Sequence, residues 1–201
     1  MRDAQPPDRP TRPRKPSLAE RRERRGAVDD PAVVLDAAAR LLEARPRSVA
    51  EVRRRLAMLG YRADLVETTV TRLETLGYLD DEAFARSWIE SRDRARPRGE
   101  HALRRELRLK GVDAALIASA LAERQEAAGD DSADGAGTRA GADEAAAERL
   151  LARRLPSLLR EPDPRRRQQR AYALLARNGF APDVCSSVAR RVLAGPAGDE
   201  P

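Results

Sequence analysis

Arg45-Pro46-Arg47-Ser48-Val49-Ala50-Glu51-Val52-Arg53-Arg54-Arg55-Leu56-Ala57-Met58-Leu59-Gly60 recurs without a gap, 51 residues later, as Arg96-Pro97-Arg98-Gly99-Glu100-His101-Ala102-Leu103-Arg104-Arg105-Glu106-Leu107-Arg108-Leu109-Lys110-Gly111. Extended to Val70 and Leu121, the copies share nine identities: Arg45/Arg96, Pro46/Pro97, Arg47/Arg98, Arg53/Arg104, Arg54/Arg105, Leu56/Leu107, Gly60/Gly111, Ala63/Ala114 and Leu65/Leu116. Where they differ, Val52/Leu103, Tyr61/Val112, Val66/Ile117 and Val70/Leu121 stay apolar, as the inward positions of a duplicated packing unit must. A fainter third copy, a further 68 residues on, places Leu107 on Leu175, Gly111 on Gly179, Val112 on Phe180 and Leu116 on Val184. Self-similarity at such a period marks a tandem array, and arrays of this kind bind extended partners.

Each unit reads as three helices. Asp29-Asp30-Pro31 supplies an N-cap followed by proline, and the helix from Ala32 to Ala44 stops before Arg45-Pro46. Ser48 and Glu51 form a capping box, Val49, Val52, Leu56 and Leu59 share a face, and Gly60 ends the helix. A third helix carries Leu65, Val66, Val70, Leu73 and Leu76 up to Gly77. Unit 2 repeats the plan: a helix opened by Asp80-Asp81, a second from Gly99 to Leu109 stopped by Gly111, a third from Ala114 to Glu126 capped by Asp113. Unit 3 follows with helices from about Asp143 to Leu155, with an extension past Pro156 left open, Pro164 to Asn178 and Pro182 to Leu193. No segment sustains a strand period. The predicted architecture is all-α: an elongated tandem array of three three-helix, helix-turn-helix-like repeats, about nine helices in all. The units span 29–79, 80–128 and 143–194; 1–28 is expected to be a disordered basic arm, 129–142 a flexible acidic linker and 195–201 a disordered tail.

A chain with 41% hydrophobic, 36% charged and only 3% aromatic residues buries a thin core, which suits small stacked modules better than one globule. Its one cysteine, Cys185, excludes an internal disulfide and fits a reducing compartment. No apolar run approaches a membrane span, and the charged start is unlike a signal peptide, so a cytoplasmic protein without a membrane partner is expected. Of the net charge of +6, residues 1–27 hold nine basic against four acidic side chains. That arm is suited to an anionic polymer, although a solvated, compositionally biased tail reads the same way.

Catalysis finds little support. His101 is the only histidine and Cys185 the only cysteine, so neither a His/Cys metal cluster nor a nucleophile-histidine set is easily built, and no phosphate-binding glycine loop occurs. His101 falls on a polar helix side, Cys185 aligns with Ile117 as a core position, and the pair Asp80-Asp81 is explained by helix capping. Trp88, Phe84, Tyr61, Tyr78, Tyr172 and Phe180 all fall where core or C-cap packing accounts for them. No enzyme activity, cofactor or metal is expected. Arginine clusters are the stronger signal: Arg53, Arg54 and Arg55 on one second helix, Arg104, Arg105, Arg108 and Lys110 on the next, and Arg165, Arg166, Arg167 and Arg170 in unit 3. Stacked units would turn them into a basic strip suited to phosphates or to an acidic filament surface. A solvated face paired with nearby glutamates is the plain alternative.

Gly77-Tyr78-Leu79-Asp80-Asp81-Glu82-Ala83-Phe84-Ala85-Arg86, then Trp88, Ser91-Arg92, Arg98-Gly99, Arg105-Glu106-Leu107 and Lys110-Gly111-Val112, closely resembles the RecX family of regulators of the RecA recombinase. Similarity runs from about Val33 to Leu193; unit 3 departs most, with Asn178-Gly179 where the Lys-Gly pair stands in unit 2. The resemblance implies tandem three-helix repeats lying in the groove of the RecA filament on single-stranded DNA. It implies inhibition of ATP hydrolysis, strand exchange and the co-protease activity behind the SOS response, by a monomer without enzyme activity. Arg53, Arg54, Arg104, Arg105, Arg108, Lys110, Arg166, Arg167 and Arg170 are the expected contacts. A helix-turn-helix protein acting directly on DNA is the competing reading, but the third helices, Leu65 to Leu76 and Ala114 to Glu126, expose mainly Glu, Thr and Ala instead of base-reading side chains.

Overall fold

The computed structural model describes residues 16–130 and 141–194, and every regular element among them is a helix. After α1 (Leu18–Gly26), unit 1 comprises α2 (Pro31–Ala44), α3 (Val49–Leu59) and α4 (Ala63–Thr75). Unit 2 comprises α5 (Asp81–Ala95), α6 (Glu100–Leu109) and α7 (Ala114–Asp130), and unit 3 α8 (Ala142–Leu158), α9 (Pro164–Arg177) and α10 (Pro182–Ala194). The caps read from sequence are in place. Asp30 accepts from the Ala32 amide, Ser48 and Glu51 form a reciprocal box, Asp80 accepts from Glu82 and Ala83, and Asp113 from Ala115. The second helices of all three units exit through a glycine of positive φ, 101° at Gly60, 82° at Gly111 and 83° at Gly179, a region that only glycine enters freely.

Three separate cores result, one per unit. Leu56, Leu107 and Leu175 are fully buried at equivalent positions, each stabilising its unit by about 2–3 kcal/mol through removal from water. Around them the repeat register holds across all three copies: Val52, Leu103 and Ala171; Val66, Ile117 and Cys185; Thr69, Ala120 and Val188; Val70, Leu121 and Ala189 are all buried. The three cores draw on no common residue.

Two expectations need correction. The arm expected to be disordered as far as residue 28 contains α1, because Ser17 accepts from the Glu20 amide and Glu20 from the Ser17 amide, a second capping box at the edge of the Arg-rich run; the chain therefore has ten helices among its described residues. Tyr78 is 70% exposed instead of packed, since Leu79 alone turns into the core at that bend. Of the two extents open to the first helix of unit 3, the longer is found: α8 continues through Pro156 to Leu158, where Leu158 joins the unit 3 core. The segment expected as an acidic linker, 129–142, begins inside α7 and ends inside α8, and its middle lies outside the described residues, as do residues 1–15 of the arm and the tail 195–201.

Candidate partner-binding face

What orients the basic second helices is the way one unit meets the next. The first four amides of any helix lack intrahelical partners, and here one of them is satisfied by the following unit. Asp81, at the start of α5, accepts from the Val49 amide at the start of α3, 2.9 Å away. Asp143, in α8, accepts from the Glu100 amide at the start of α6 at 3.0 and 3.1 Å. Alongside, the residue before each exit glycine presents its carbonyl to the N-cap of the preceding unit: Ser48 Oγ donates to Lys110 O at 2.6 Å, and the Gly99 amide to Asn178 O at 3.0 Å. A Cβ on Gly111 would collide with Ala50, and one on Gly179 with Ala102, so both glycines permit close approach as well as the turn.

Both seams are reinforced by charge. In the first, the Lys110 ammonium lies 3.2 Å from Glu51 and 4.0 Å from the centroid of the Trp88 ring, whose other cationic neighbour is Arg92 at 4.4 Å. Burial alone would raise the Glu51 carboxyl, but hydrogen bonds from Arg45 and Lys110 outweigh it and hold the pKa below the ordinary value. Asp81 goes the other way: burial and the charges of Glu74 and Asp80 raise it against the Val49 amide and the charge of Arg53. In the second seam Arg124, its side chain 8% exposed, bridges Asp93 at 2.8 Å and Asp143 at 2.7 Å. Burial disfavours that guanidinium's charge, yet the two carboxylates raise its pKa overall.

The arginines expected to bind a partner divide sharply by what already holds them. Arg53 is engaged bidentately by Glu67, with contacts of 2.8 to 3.1 Å, and Arg104 pairs with Glu100 at 2.6 Å. Lys110 belongs to the seam, so its expected place in the exposed strip is corrected. Arg166 pairs with Asp163 at 3.6 Å, Arg170 with the buried Glu161 at 2.9 Å, and Arg167 donates to the Glu161 carbonyl at 3.0 Å. Among the described residues, no ion pair holds Arg54, Arg105 or Arg108, and all three are exposed. His101, Arg104, Arg105 and Arg108 recur at the helical spacing of one face of α6 and, with Leu109, line a shallow concavity of about 400 Å³.

The strip does not pass into unit 3. With Leu175 on Leu107, Arg104 falls on Tyr172 and Arg105 on Ala173. Because α9 starts one turn earlier than α6 in this register, Arg165, Arg166 and Arg167 stand ahead of the positions that carry the α6 ridge, and Arg170 falls on the buried Ala102.

Sequence profiles of the first, second and third three-helix domains of RecX match residues 35–73, 80–121 and 142–188. The chain belongs to the RecX family. The regulatory protein RecX of Mycobacterium ulcerans is 36% identical to it over 155 residues, 77% of this chain and 82% of the relative. That of Mycobacterium bovis is 33% identical over 182 residues, 89% and 91% of the two chains. The crystal structure of RecX from Lactobacillus salivarius has the same fold, with a TM-score of 0.65 at 18% identity, covering 82% of this chain and 97% of that one. A second crystal structure, of a regulatory protein RecX, gives 0.62 at 19%, covering 86% and 73%. The three RecX domains coincide with the three cores, whereas α1 lies ahead of the first. None of the described helices is long and apolar enough to cross a membrane.

Sequence reasoning missed the seam residues Asp81, Asp143 and Arg124 and the membership of His101 in the α6 ridge. The ridge was legible in the spacing 101, 104, 105, 108. The seam had one faint signal, an aspartate recurring at the start of consecutive first helices.

Proposed function

We propose that this RecX protein binds the RecA filament assembled on single-stranded DNA and restrains its ATP hydrolysis, strand exchange and co-protease activity, acting as a cytoplasmic monomer. The observation that carries the reading is the α6 ridge: three arginines beside His101 on one helical face, of which Arg105 and Arg108 are exposed and held by no ion pair among the described residues. Arg54 offers the matching charge on α3. Single contacts of exposed arginines are weak, and several on successive units act together on a repeating partner. The competing reading, direct groove recognition by a third helix, is disfavoured by side chains: α4 exposes Asp64, Glu67 and Glu74 against Arg72, which repels phosphate, and α7 is packed between α5 and α8.

The test is Arg105→Glu with Arg108→Glu. Both positions are exposed, so the variant should melt with the parent, yet lose most inhibition of RecA ATP hydrolysis at about 0.15 M salt, where charges are screened beyond about 8 Å. Full inhibition by this variant would remove the ridge from the mechanism. Lost inhibition with unchanged binding to bare single-stranded DNA would place the contact on the recombinase.

A further inference from the structure

At both seams an exit glycine rests on the start of a second helix from the preceding unit, Gly111 on α3 and Gly179 on α6. Unit 1 has no preceding unit, yet its exit glycine is covered as well. A Cβ on Gly60 would meet the backbone oxygen of Arg22, in α1, at 2.9 Å and the Arg22 Cα at 3.0 Å. Arg25 completes the contact: its guanidinium donates to the Leu59 carbonyl at 3.4 Å and stands 5.9 Å from the Tyr61 ring centroid. That carbonyl belongs to the unsatisfied C-terminal end of α3, where a cation is favoured. So α1 covers the exit glycine of unit 1 as α3 covers that of unit 2 and α6 that of unit 3, though at its middle, Arg22, and not at its first turn.

A nine-residue helix with no buried side chain does not persist alone in water, capping box or not. Docking on the Gly60 turn keeps it folded. Like α3 and α6, it then presents outward arginines: Arg21, Arg22 and Arg24 are exposed, and among the described residues no carboxylate forms an ion pair with them.

We propose that α1 is a further rung of the partner-binding face, a second helix without the rest of its unit, which sets arginines beside α3 for the same anionic partner. This rests on the reading of the α6 ridge as that partner's site. It differs from the view of residues 16–27 as a charged tether, for which helical structure would be immaterial.

Glu23→Pro separates the two. It interrupts α1 in its interior while keeping all four arginines and removing one negative charge, so a tether would bind an anionic partner as well or better. With the full-length chain and RecA filaments assembled on oligo-dT, Glu23→Pro should bind about fivefold or more weakly, about 1 kcal/mol. Arg21→Gln with Arg24→Gln, which leaves the Arg25 contact in place, should lose a similar factor. Thermal unfolding of both variants should match the parent, since α1 contributes nothing to any core. Parental or tighter binding by Glu23→Pro, or parental binding by the double arginine variant, would overturn the proposal. If those two bind normally while Arg105→Glu with Arg108→Glu does not, the filament reading survives and the α1 inference alone falls. If only the α1 variants lose binding, α1 is the contact and the α6 ridge is not.

Discussion

Between units 1 and 2 the joint is made by Ser48, Val49 and Glu51 on one side and Asp81 and Lys110 on the other, with the lysine lying over Trp88. Between units 2 and 3 the same carbonyl and carboxylate contacts recur, and further contacts are added. There α7 packs along α8; Arg124 is buried between Asp93 and Asp143; and Arg153 donates to the Ala95 and Arg94 carbonyls at the end of α5, at 2.7 and 2.8 Å. A repeated capping interaction sets where one unit sits on the next, and the additions set how firmly. The first joint is the softer one, held by a partly exposed ammonium. The second is tied by a guanidinium whose removal would strand two carboxylates.

The largest effect expected from this difference is at Arg124. Arg124→Ala leaves Asp93 and Asp143 facing each other, with Arg149 at 3.6 Å the remaining cation on Asp93 and the Glu100 amide on Asp143, and should lower stability by about 3 kcal/mol in urea titration, within the range for breaking a buried pair. A loss below about 1 kcal/mol would make the second joint no firmer than the first. Lys110→Met keeps much of the bulk but removes the charge. It should cost about 1–2 kcal/mol from the cation–π contact and the Glu51 pair together, and shift the emission of Trp88, the only tryptophan. Unchanged emission would show that the lysine does not rest on the ring in solution.

The smallest effect concerns pH. Asp81 has a raised folded pKa, so its charged form opposes folding above that value, and the penalty fades as pH falls through it toward the unfolded value of about 3.9. Asp81→Asn still accepts from the Val49 amide without carrying charge. Its melting temperature at pH 7 should equal or slightly exceed the parent's, with the gap closing below about pH 4. Glu51 runs oppositely: its depressed pKa contributes stability at neutral pH that is lost as pH falls through the folded value. A loss in Asp81→Asn at pH 7 that closes below about pH 4 would show that the carboxylate charge itself holds the joint.

The features legible in the sequence are those decided within one or two helical turns. Ser48 and Glu51, Asp30 before Pro31, and the glycines at 60 and 111 announce the helix ends through local hydrogen bonding and φ. Leu56, Leu107 and Leu175 announce the cores because a repeat must return apolar groups to the same face. The same kind of signal was present but overlooked at Ser17 and Glu20, where the surrounding arginines and prolines pointed to disorder. The exposure of Tyr78 had no such signal, since which of two adjacent residues at a bend turns inward depends on the core already assembled beside it.

By itself, then, the sequence determined the repeat, the helices, the glycine turns and the residues that fill each unit. All of these follow from periodicity and backbone chemistry over short spans. Only the tertiary structure decided which cations are free. Lys110 finds Glu51 across 59 residues, Arg124 finds Asp93 across 31, and Arg25 finds Leu59 across 34. Long flexible side chains take whatever opposite charge or bare carbonyl the docking of units brings within reach, so equal arginines in one repeat pattern end as a seam tie, an internal pair or an open contact. The physical reason is range: a capping box or a glycine turn is satisfied within a few residues of chain, whereas long side chains such as Lys110, Arg124 and Arg25 are satisfied by whatever the folded units bring beside them.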